Sequence, residues 1–463
     1  MSTARDENVR TLAAALNATE QHAAALLDTV VLLTVAPGNE RFGETVCLLL
    51  RRTMTNIVSE PDPAATPSLE VVIGPVTPKS TAAVLSVSAS GSRFAVRDGA
   101  SVALGVAGGA MAIVELVAAC YAVAAAVQRA THVELPMPLR LPIEVDIRDL
   151  LGGESKLLGG PVDIGTIYMA GAGAIGNAVL LGISAFDVQG ELHVCDPDTV
   201  SGGNLNRCVW FTDADIGKNK AQQLAVHAGR HVPRLRLVPH NSVLKGVPAA
   251  QAGGSWLESL IVAVDSRRAR RALQNEMPRR VFDASTTGIT EVVLHFNRSP
   301  SSYACMSCVY YEAPDETAHE QHVAELLGVS AADVRSNFVS KAAAILIAGR
   351  YPALTSESLV GLAYDSLFKQ LCGQGALKTA ADEQVLAPFA FVSVLAGALL
   401  ATEIVRRAGS SAIELPFNYW RVSPWSAPVV RARELRSKRI ACEFCDNRVL
   451  QRVLRDLWGA HGP

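Results

Sequence analysis

Apolar and polar positions follow two different rhythms along this chain. Short continuous apolar runs at Thr166–Ala170, Glu191–Cys195 and Leu260–Val264 each stop at a glycine or an aspartate. That is the pattern of buried strands in a parallel sheet. Between them, Gly176–Ala185 carries apolar residues at helical spacing. Strands alternating with helices predict an α/β, Rossmann-like fold.

The first third repeats the rhythm. It predicts strands at Val30–Val35, Leu69–Ile73, Ala82–Val87 and Arg93–Val96, a helix at Gly43–Arg52, and a long apolar helix from Val102 to Val127. A second long apolar helix follows Val385–Phe389 and runs to Arg406. Both are rich in Ala and Gly and carry one inward acid, Glu115 or Glu403. Similar helices in two halves predict a duplicated fold, an inactive N-terminal lobe beside an active C-terminal one. The chain would then be a monomeric pseudo-dimer or a homodimer. Val102–Val127 is also long enough to cross a membrane. Glu115 in mid-run, the interrupting glycines and the scarcity of flanking basic residues favour a core helix instead. Three further helical stretches, Glu316–Leu327, Ala331–Leu346 and Ser356–Gln370, form an insertion. The expected organisation is 1–136 for the first lobe, 137–160 for a linker, 161–311 for the first part of the second lobe, 312–384 for the insertion and 385–463 for the rest.

Chemistry concentrates in residues 166–220. Gly171-Ala-Gly173-Ala-Ile-Gly176 fits a G-x-G-x-x-G loop between strand and helix. There Gly171 allows the turn, Gly173 lets a phosphate approach, and Gly176 lets the helix sit close on the strand. Asp196 ends the next strand, where a carboxylate accepts hydrogen bonds from ribose hydroxyls. An NAD-binding unit or a plain structural turn would share these features. A polar cassette follows, with Asn204, Arg207 and Lys220. When a carboxylate attacks the α-phosphate of ATP, charge builds on that phosphate and on departing pyrophosphate, and fixed cations and amides stabilise it. An acid for magnesium is also needed, and Asp265 closes the strand Leu260–Val264. Each residue has a plainer alternative: surface charges for Arg207 and Lys220, a helix N-cap for Asp265.

The run Asp196-Pro-Asp-Thr-Val-Ser-Gly-Gly-Asn204-Leu-Asn-Arg207, with Asp215-Ile-Gly-Lys-Asn-Lys220, resembles the ThiF/MoeB/ubiquitin-activating-enzyme superfamily over roughly Val162–Ala408. The resemblance implies adenylation of the C-terminal carboxylate of a ubiquitin-like protein with ATP and magnesium. It assigns Gly171, Gly173 and Gly176 to the nucleotide, Asp196 to the ribose, Asn204, Arg207 and Lys220 to the phosphates, and Asp265 to magnesium. It also implies a conjugating-enzyme partner, a thiol acceptor in the insertion, and an N-terminal arginine, Arg5 or Arg10, that reaches the ATP. The combination resembles the antiviral ubiquitin-like operons of bacteria. Cys208, Gly203 and Ser266 depart from the family's usual Gln, Ser and Asn, and none removes a charged group. A sulfur-carrier adenylyltransferase and a scaffold with a relic pocket are the alternatives.

Nine cysteines refine the picture. Cys305-x-x-Cys308 and Cys442-x-x-Cys445 suit a four-thiolate structural zinc that ties the last segment back to the middle of the lobe. A redox pair or unrelated thiols would show the same spacing. Cys47, Cys120 and Cys195 stand in apolar runs and read as core. Cys372, near Gly373 and Gly375, reads as a loop thiol and is the candidate thioester nucleophile. A helix-end core cysteine is its alternative, and Cys208 is the second candidate. Half the residues are apolar and the formal net charge is -2, which gives no case for nucleic acid. Met1–Glu20 is polar and of mixed charge, unlike a signal peptide, so a cytoplasmic location is expected.

Overall fold

The computed structural model describes residues 3–62, 66–100, 109–132, 135, 137, 139–150, 160–247, 257–312, 316–336, 338–352, 354–360, 362, 364–373, 387–409, 417–429 and 432–459. Two sheets organise them. The first part contains α1 (Ala4–Leu16), α2 (Glu20–Leu27), β1 (Val31–Val35), α3 (Glu40–Thr53), β2 (Ile57–Val58), β3 (Leu69–Ile73), β4 (Ala83–Ser90), β5 (Arg93–Asp98), α4 (Ala112–Ala130), β6 (Ile143–Asp146) and the short α5 (Ile147–Leu150). Its strands lie in the order β2-β1-β3-β4-β5-β6. The first four are parallel, and β5 and β6 are antiparallel to their neighbours. Residues 143–146, expected in the linker, are therefore the outer strand of this sheet.

The second part runs through β7 (Val162–Ala170), α6 (Ala174–Ile183), β8 (Val188–Cys195), α7 (Lys220–Ala228), β9 (Leu235–His240), β10 (Ser259–Val262), α8 (Arg267–Gln274), β11 (Arg280–Thr287), β12 (Glu291–Arg298) and α9 (Met306–Val309). An insertion of α10 (Glu316–Leu327), α11 (Ala331–Arg335), α12 (Lys341–Arg350), α13 (Ser356–Leu359) and α14 (Tyr364–Gly373) follows. Then come α15 (Ala390–Gly409), β13 (Tyr419–Val422), β14 (Arg433–Glu434) and α16 (Arg448–Trp458). The strand order is β14-β13-β12-β11-β10-β7-β8-β9. Strands β8, β7, β10, β11, β12 and β13 repeat the order and sense of β2, β1, β3, β4, β5 and β6. Helices repeat too: α3 and α6 follow the first strand of each unit, and α4 and α15 bridge β5 to β6 and β12 to β13. The duplication expected from two similar helices is thus written into the topology.

The apolar helices explain how the two units meet. α15 packs on α6 of its own sheet and on α4 of the other. A Cβ on Gly182 of α6 would lie 2.7 Å from the Ala401 methyl of α15, so small residues set that close approach. Glu115 is buried and pairs with Arg41 of α3 at 2.8 Å, while Glu403 is paired by Arg406 at 2.7 Å. Paired acids of this kind keep an Ala-rich helix in a protein core tolerable. α4 has the length and composition of a membrane span, yet 89% of it is buried inside the protein. It starts at Ala112, later than expected. Gly109 to Met111 are not helical, and 101–108 lie outside the described residues. Closely spaced glycines disfavour helix there.

The insertion has its own core of Val323, Leu327, Val334, Ile347, Leu359, Tyr364, Leu367, Phe368 and Leu371. The two longer helices expected at 331–346 and 356–370 are each broken in two. Ser340 caps α12 by accepting from the Ala343 N–H at 3.1 Å, a capping geometry incompatible with a continuous helix. The expected loop at Cys372 is also corrected. Its backbone forms the last turn of α14, because Leu367, Phe368 and Leu371 are buried and carry the helix onward. Gly375 and the rest of 374–386 lie outside the described residues.

Candidate functional site

Three strands of the second sheet, β10, β7 and β8, lie side by side, and their C-terminal ends converge. In open α/β sheets that edge is where ligands bind. Gly171 leaves β7 with φ +101°, and a Cβ there would lie 2.6 Å from the Ala263 carbonyl beyond β10. A Cβ on Gly176 would strike the Gly171 carbonyl. Only glycine satisfies both positions. Gly173 differs. Among the described residues, apart from its chain neighbours, nothing lies within 4 Å of where its Cβ would be, so the backbone at the N-terminus of α6 is open to close approach.

Asp196 lies one residue past β8 and is buried. Its Oδ2 accepts from the Ala172 N–H at 2.6 Å and its Oδ1 from the Asp198 N–H at 2.8 Å. Burial pushes its pKa up to about 6, and the nearby Lys220 ammonium works against that rise. Lys220 opens α7 and pairs with Asp198 at 3.0 Å. Burial opposes its charge, but Asp198 and Asp196 outweigh burial and raise its pKa above the ordinary lysine value. Asn204 sits in a single 3₁₀ turn, Gly202–Asn206, and accepts from the Ser201 N–H at 3.1 Å. Arg207 follows, half-buried, donating to the Gly203 carbonyl at 3.2 Å and to Asn206 at 2.8 Å. Asp265 is exposed beyond β10. It does not cap α8, because the Ser266 hydroxyl does so by accepting from the Ala269 N–H at 3.2 Å. Cys208 is buried, and burial raises its thiol pKa while the nearby Arg207, Lys220 and Arg52 cations oppose that rise.

Several residues that sequence reasoning passed over hold this site together. Asn177 donates to the Ala172 and Gly173 carbonyls at 2.9 and 3.0 Å and accepts from the Trp210 N–H, joining the glycine loop to the end of the cassette. Asn219 donates to the Asp196 and Asp198 carbonyls and to Asn241. The rest come from the first lobe. Asn8 of α1 donates to the Arg52 carbonyl at 2.7 Å, accepts from Asn206 at 3.0 Å, and Asn206 in turn accepts from Arg207. Arg52 of α3 donates to the carbonyls of Leu205, Val209 (3.2 Å) and Phe211 (2.8 Å). Glu7 abuts Gly203, where an added Cβ would lie 2.9 Å from its carboxylate, and Glu7 pairs with Arg10 at 2.6 Å. Arg5 instead pairs with Asp28, exposed and on α1's other side. Of the two N-terminal arginines, Arg10 is the one beside the cassette.

The same fold position in the first lobe also carries an open glycine, Gly38, but it is followed by an exposed acid, Glu40. After β1, the Glu40 carboxylate accepts from the Gly38 N–H at 2.9 Å. Hydrogen bonds from the Gly38 and Glu40 amides hold its pKa below the ordinary range. An acid thus stands in the first turn of α3, where α6 has none.

The cysteines converge as the spacing suggests. The Sγ atoms of Cys305, Cys308, Cys442 and Cys445 all lie within 4.8 Å of one another, with contacts of 3.5 to 3.8 Å. Four thiolates about 2.3 Å from a tetrahedral zinc stand about 3.8 Å apart, so the set fits that ion. Backbone N–H groups of Arg439 and Cys445 donate to Cys308 and Cys442, orienting the sulfurs.

Comparison with known proteins agrees with this geometry. The ThiF family matches residues 164–444, and the E1 N-terminal domain matches residues 1–152. The chain belongs to the ThiF family. This ThiF-family chain is 30% identical over 268 residues to the uncharacterized protein y4jF of Sinorhizobium fredii, covering 54% of this chain and 50% of that one. It is 37% identical over 82 residues to the NEDD8-activating enzyme E1 catalytic subunit of Saccharomyces cerevisiae, covering 18% of this chain and 27% of that one. It is 28% identical over 152 residues to the ubiquitin-activating enzyme E1-like of the same yeast, covering 32% and 23%. The matched segments thus span half or less of these relatives' own lengths.

Proposed function

We propose that the chain adenylates the C-terminal carboxylate of a ubiquitin-like protein, receives it as a thioester on Cys372, and passes it to a conjugating enzyme. The observation that carries the first step is the meeting of the glycine loop, Asp196, Arg207 and Lys220 at one strand edge, with Asn8 and Arg52 bracing the cassette from the other lobe. ATP is the co-substrate. Gly173 and the α6 N-terminus receive its phosphates, and Asp196 its ribose. Asn204, Arg207 and Lys220 stabilise charge on the α-phosphate and on departing pyrophosphate. Arg10 stands beside the cassette as the N-terminal arginine. Magnesium, held by the exposed Asp265, supplies further neutralisation of phosphate charge. Zinc on the four cysteines is structural.

Cys372 is chosen on its place in the insertion and on the family resemblance. The relatives named for NEDD8 and ubiquitin activation support the choice of a ubiquitin-like substrate over a sulfur carrier. The reading is tested by ATP–pyrophosphate exchange together with gel analysis of a reductant-sensitive adduct to a purified ubiquitin-like partner. Cys372→Ala retains exchange and loses the adduct. An adduct that persists in Cys372→Ala assigns the transfer to another cysteine. Exchange without any adduct in the unmutated enzyme gives the sulfur-carrier reading the lead.

A further inference from the structure

The C-terminal helix α16 has more surface chemistry than its anchoring requires. Leu454 and Trp458, one helical turn apart, pack into the core around the four cysteines, and the Trp458 indole donates to the Met277 carbonyl at 2.9 Å. That face fixes the helix. A second apolar ridge at the same spacing, Val449, Val453 and Leu457, is left in solvent at 70%, 39% and 47% exposure. Ile440, on the loop leading to Cys442, is 92% exposed. Beside the ridge runs a cationic groove lined by Lys438, Arg448, Arg452 and Arg455 together with Gln451, Asp446 and Cys445.

Charge in this groove is unbalanced in a way the neighbouring segment is not. Arg433 lies over Phe417 and Trp420, Arg436 lies over Tyr419 and pairs with Glu434, and Arg439 lies over Tyr311. Glu443 is drawn away to Arg271 at 3.5 Å. Among the described residues, no carboxylate pairs with Lys438, Arg448, Arg452 or Arg455, and Asp446 is the acid that shares their groove. Four cations on one side and an apolar ridge on the other require a partner with both characters. A nucleic acid would satisfy the cations and leave Val449, Val453 and Leu457 in water. An acidic amphipathic helix satisfies both, because its apolar ridge meets one at i, i+4, i+8 and its flanking carboxylates reach the arginines.

We propose that α16 and the adjoining cationic groove form a docking site for an acidic, amphipathic helical segment of a partner protein. The site is separate from the adenylation site and does not depend on which carboxylate is activated there.

The test uses the full chain and a fluorescein-labelled synthetic amphipathic peptide of about three helical turns, with leucines on one face and glutamates flanking them. Anisotropy should show saturable binding that weakens with salt. R448E/R452E should weaken it by roughly tenfold or more, and the same variant should gain affinity for a lysine-flanked version of the peptide. Val453→Asp should lose binding of both peptides. Pyrophosphate exchange should stay unchanged in all variants, showing that they fold and that the adenylation reading stands or falls separately. Three results would overturn the proposal. One is binding by the unmutated chain weaker than about 1 mM. Another is tighter binding of a single-stranded RNA oligonucleotide than of the acidic peptide. The last is self-association of the unmutated chain that Val453→Asp abolishes, which makes a second copy the occupant.

Discussion

Arg207 and Asp196 show how a residue's neighbours set its part in the site. Arg207 is held by Gly203 and Asn206, so its guanidinium is positioned before a ligand arrives. Preorganised donors of this kind stabilise transition-state charge without reorganisation. Arg207→Ala and Asp265→Ala should each lower pyrophosphate exchange at least about tenfold, since one such contact is worth about 2.7–4 kcal/mol. Steady exchange rates in both would overturn the assignment. Asp196 makes a pH-dependent prediction. Burial raises its folded pKa to about 6 from an ordinary 3.8. The folded state therefore binds the proton more tightly than the unfolded one, and Asp196's contribution to stability falls as pH rises from about 4 to 6. Ribose recognition needs the ionised form, so ATP affinity should fall as pH drops through about 6. Calorimetric titration should show this step in the unmutated chain and not in Asp196→Asn.

At the scale of elements, the cassette is a short 3₁₀ turn and loop in which the Arg207 and Cys208 N–H groups donate to the Asn204 carbonyl, and the first lobe braces it from outside. Arg52 serves three cassette carbonyls, and burial lowers its pKa below the ordinary arginine value. Arg52→Ala should cost about 1.5–3 kcal/mol by chemical denaturation, because buried hydrogen bonds to a charged group are lost together. Exchange should fall in parallel. Asn8→Ala should act more narrowly, weakening ATP binding through Arg207 with a smaller stability change. Equal wild-type ATP affinity in Asn8→Ala would remove the relay from the site. The helix α8 plays a similar bridging part on the other side. Arg268 donates to the Val334 carbonyl at 2.7 Å and pairs with Asp365, and Arg271 pairs with Glu316, fastening the insertion just beyond Asp265.

At the scale of the whole molecule, the six strands of the first sheet share their order with six of the second, and an acid, Glu40, stands in the first turn of α3 where α6 has none. Because the Glu40 carboxylate would repel a phosphate at the start of α3 and residues 36–41 do not repeat the G-x-G-x-x-G loop, calorimetry should count one nucleotide per chain. A second equivalent site would overturn that reading. The four cysteines fasten α16 to the segment around α9 across a separation of more than 130 residues. Metal analysis should therefore find one zinc per chain. Cys305→Ser should lose it and lower the melting temperature while leaving ATP binding intact, since the cysteines pack in a separate core from the loop.

Local patterns along the chain suffice for the α/β class, the strand-glycine-helix unit, the position of Asp196 and Asp265 beyond strand ends, and the pairing of the two C-x-x-C motifs. These are legible because each rests on neighbours within a few residues, or on a metal-ligand spacing that little else produces. Contacts between distant segments set the rest. Asn8 and Asn206 are 198 residues apart, Arg52 and Leu205 are 153 apart, and no local pattern brings them together. The glycines near Cys372 signalled a loop, but the burial of Leu367, Phe368 and Leu371 in the insertion core carries the helix on to Gly373. Local propensity proposes an element's ends, and the free energy of burying its apolar face decides them.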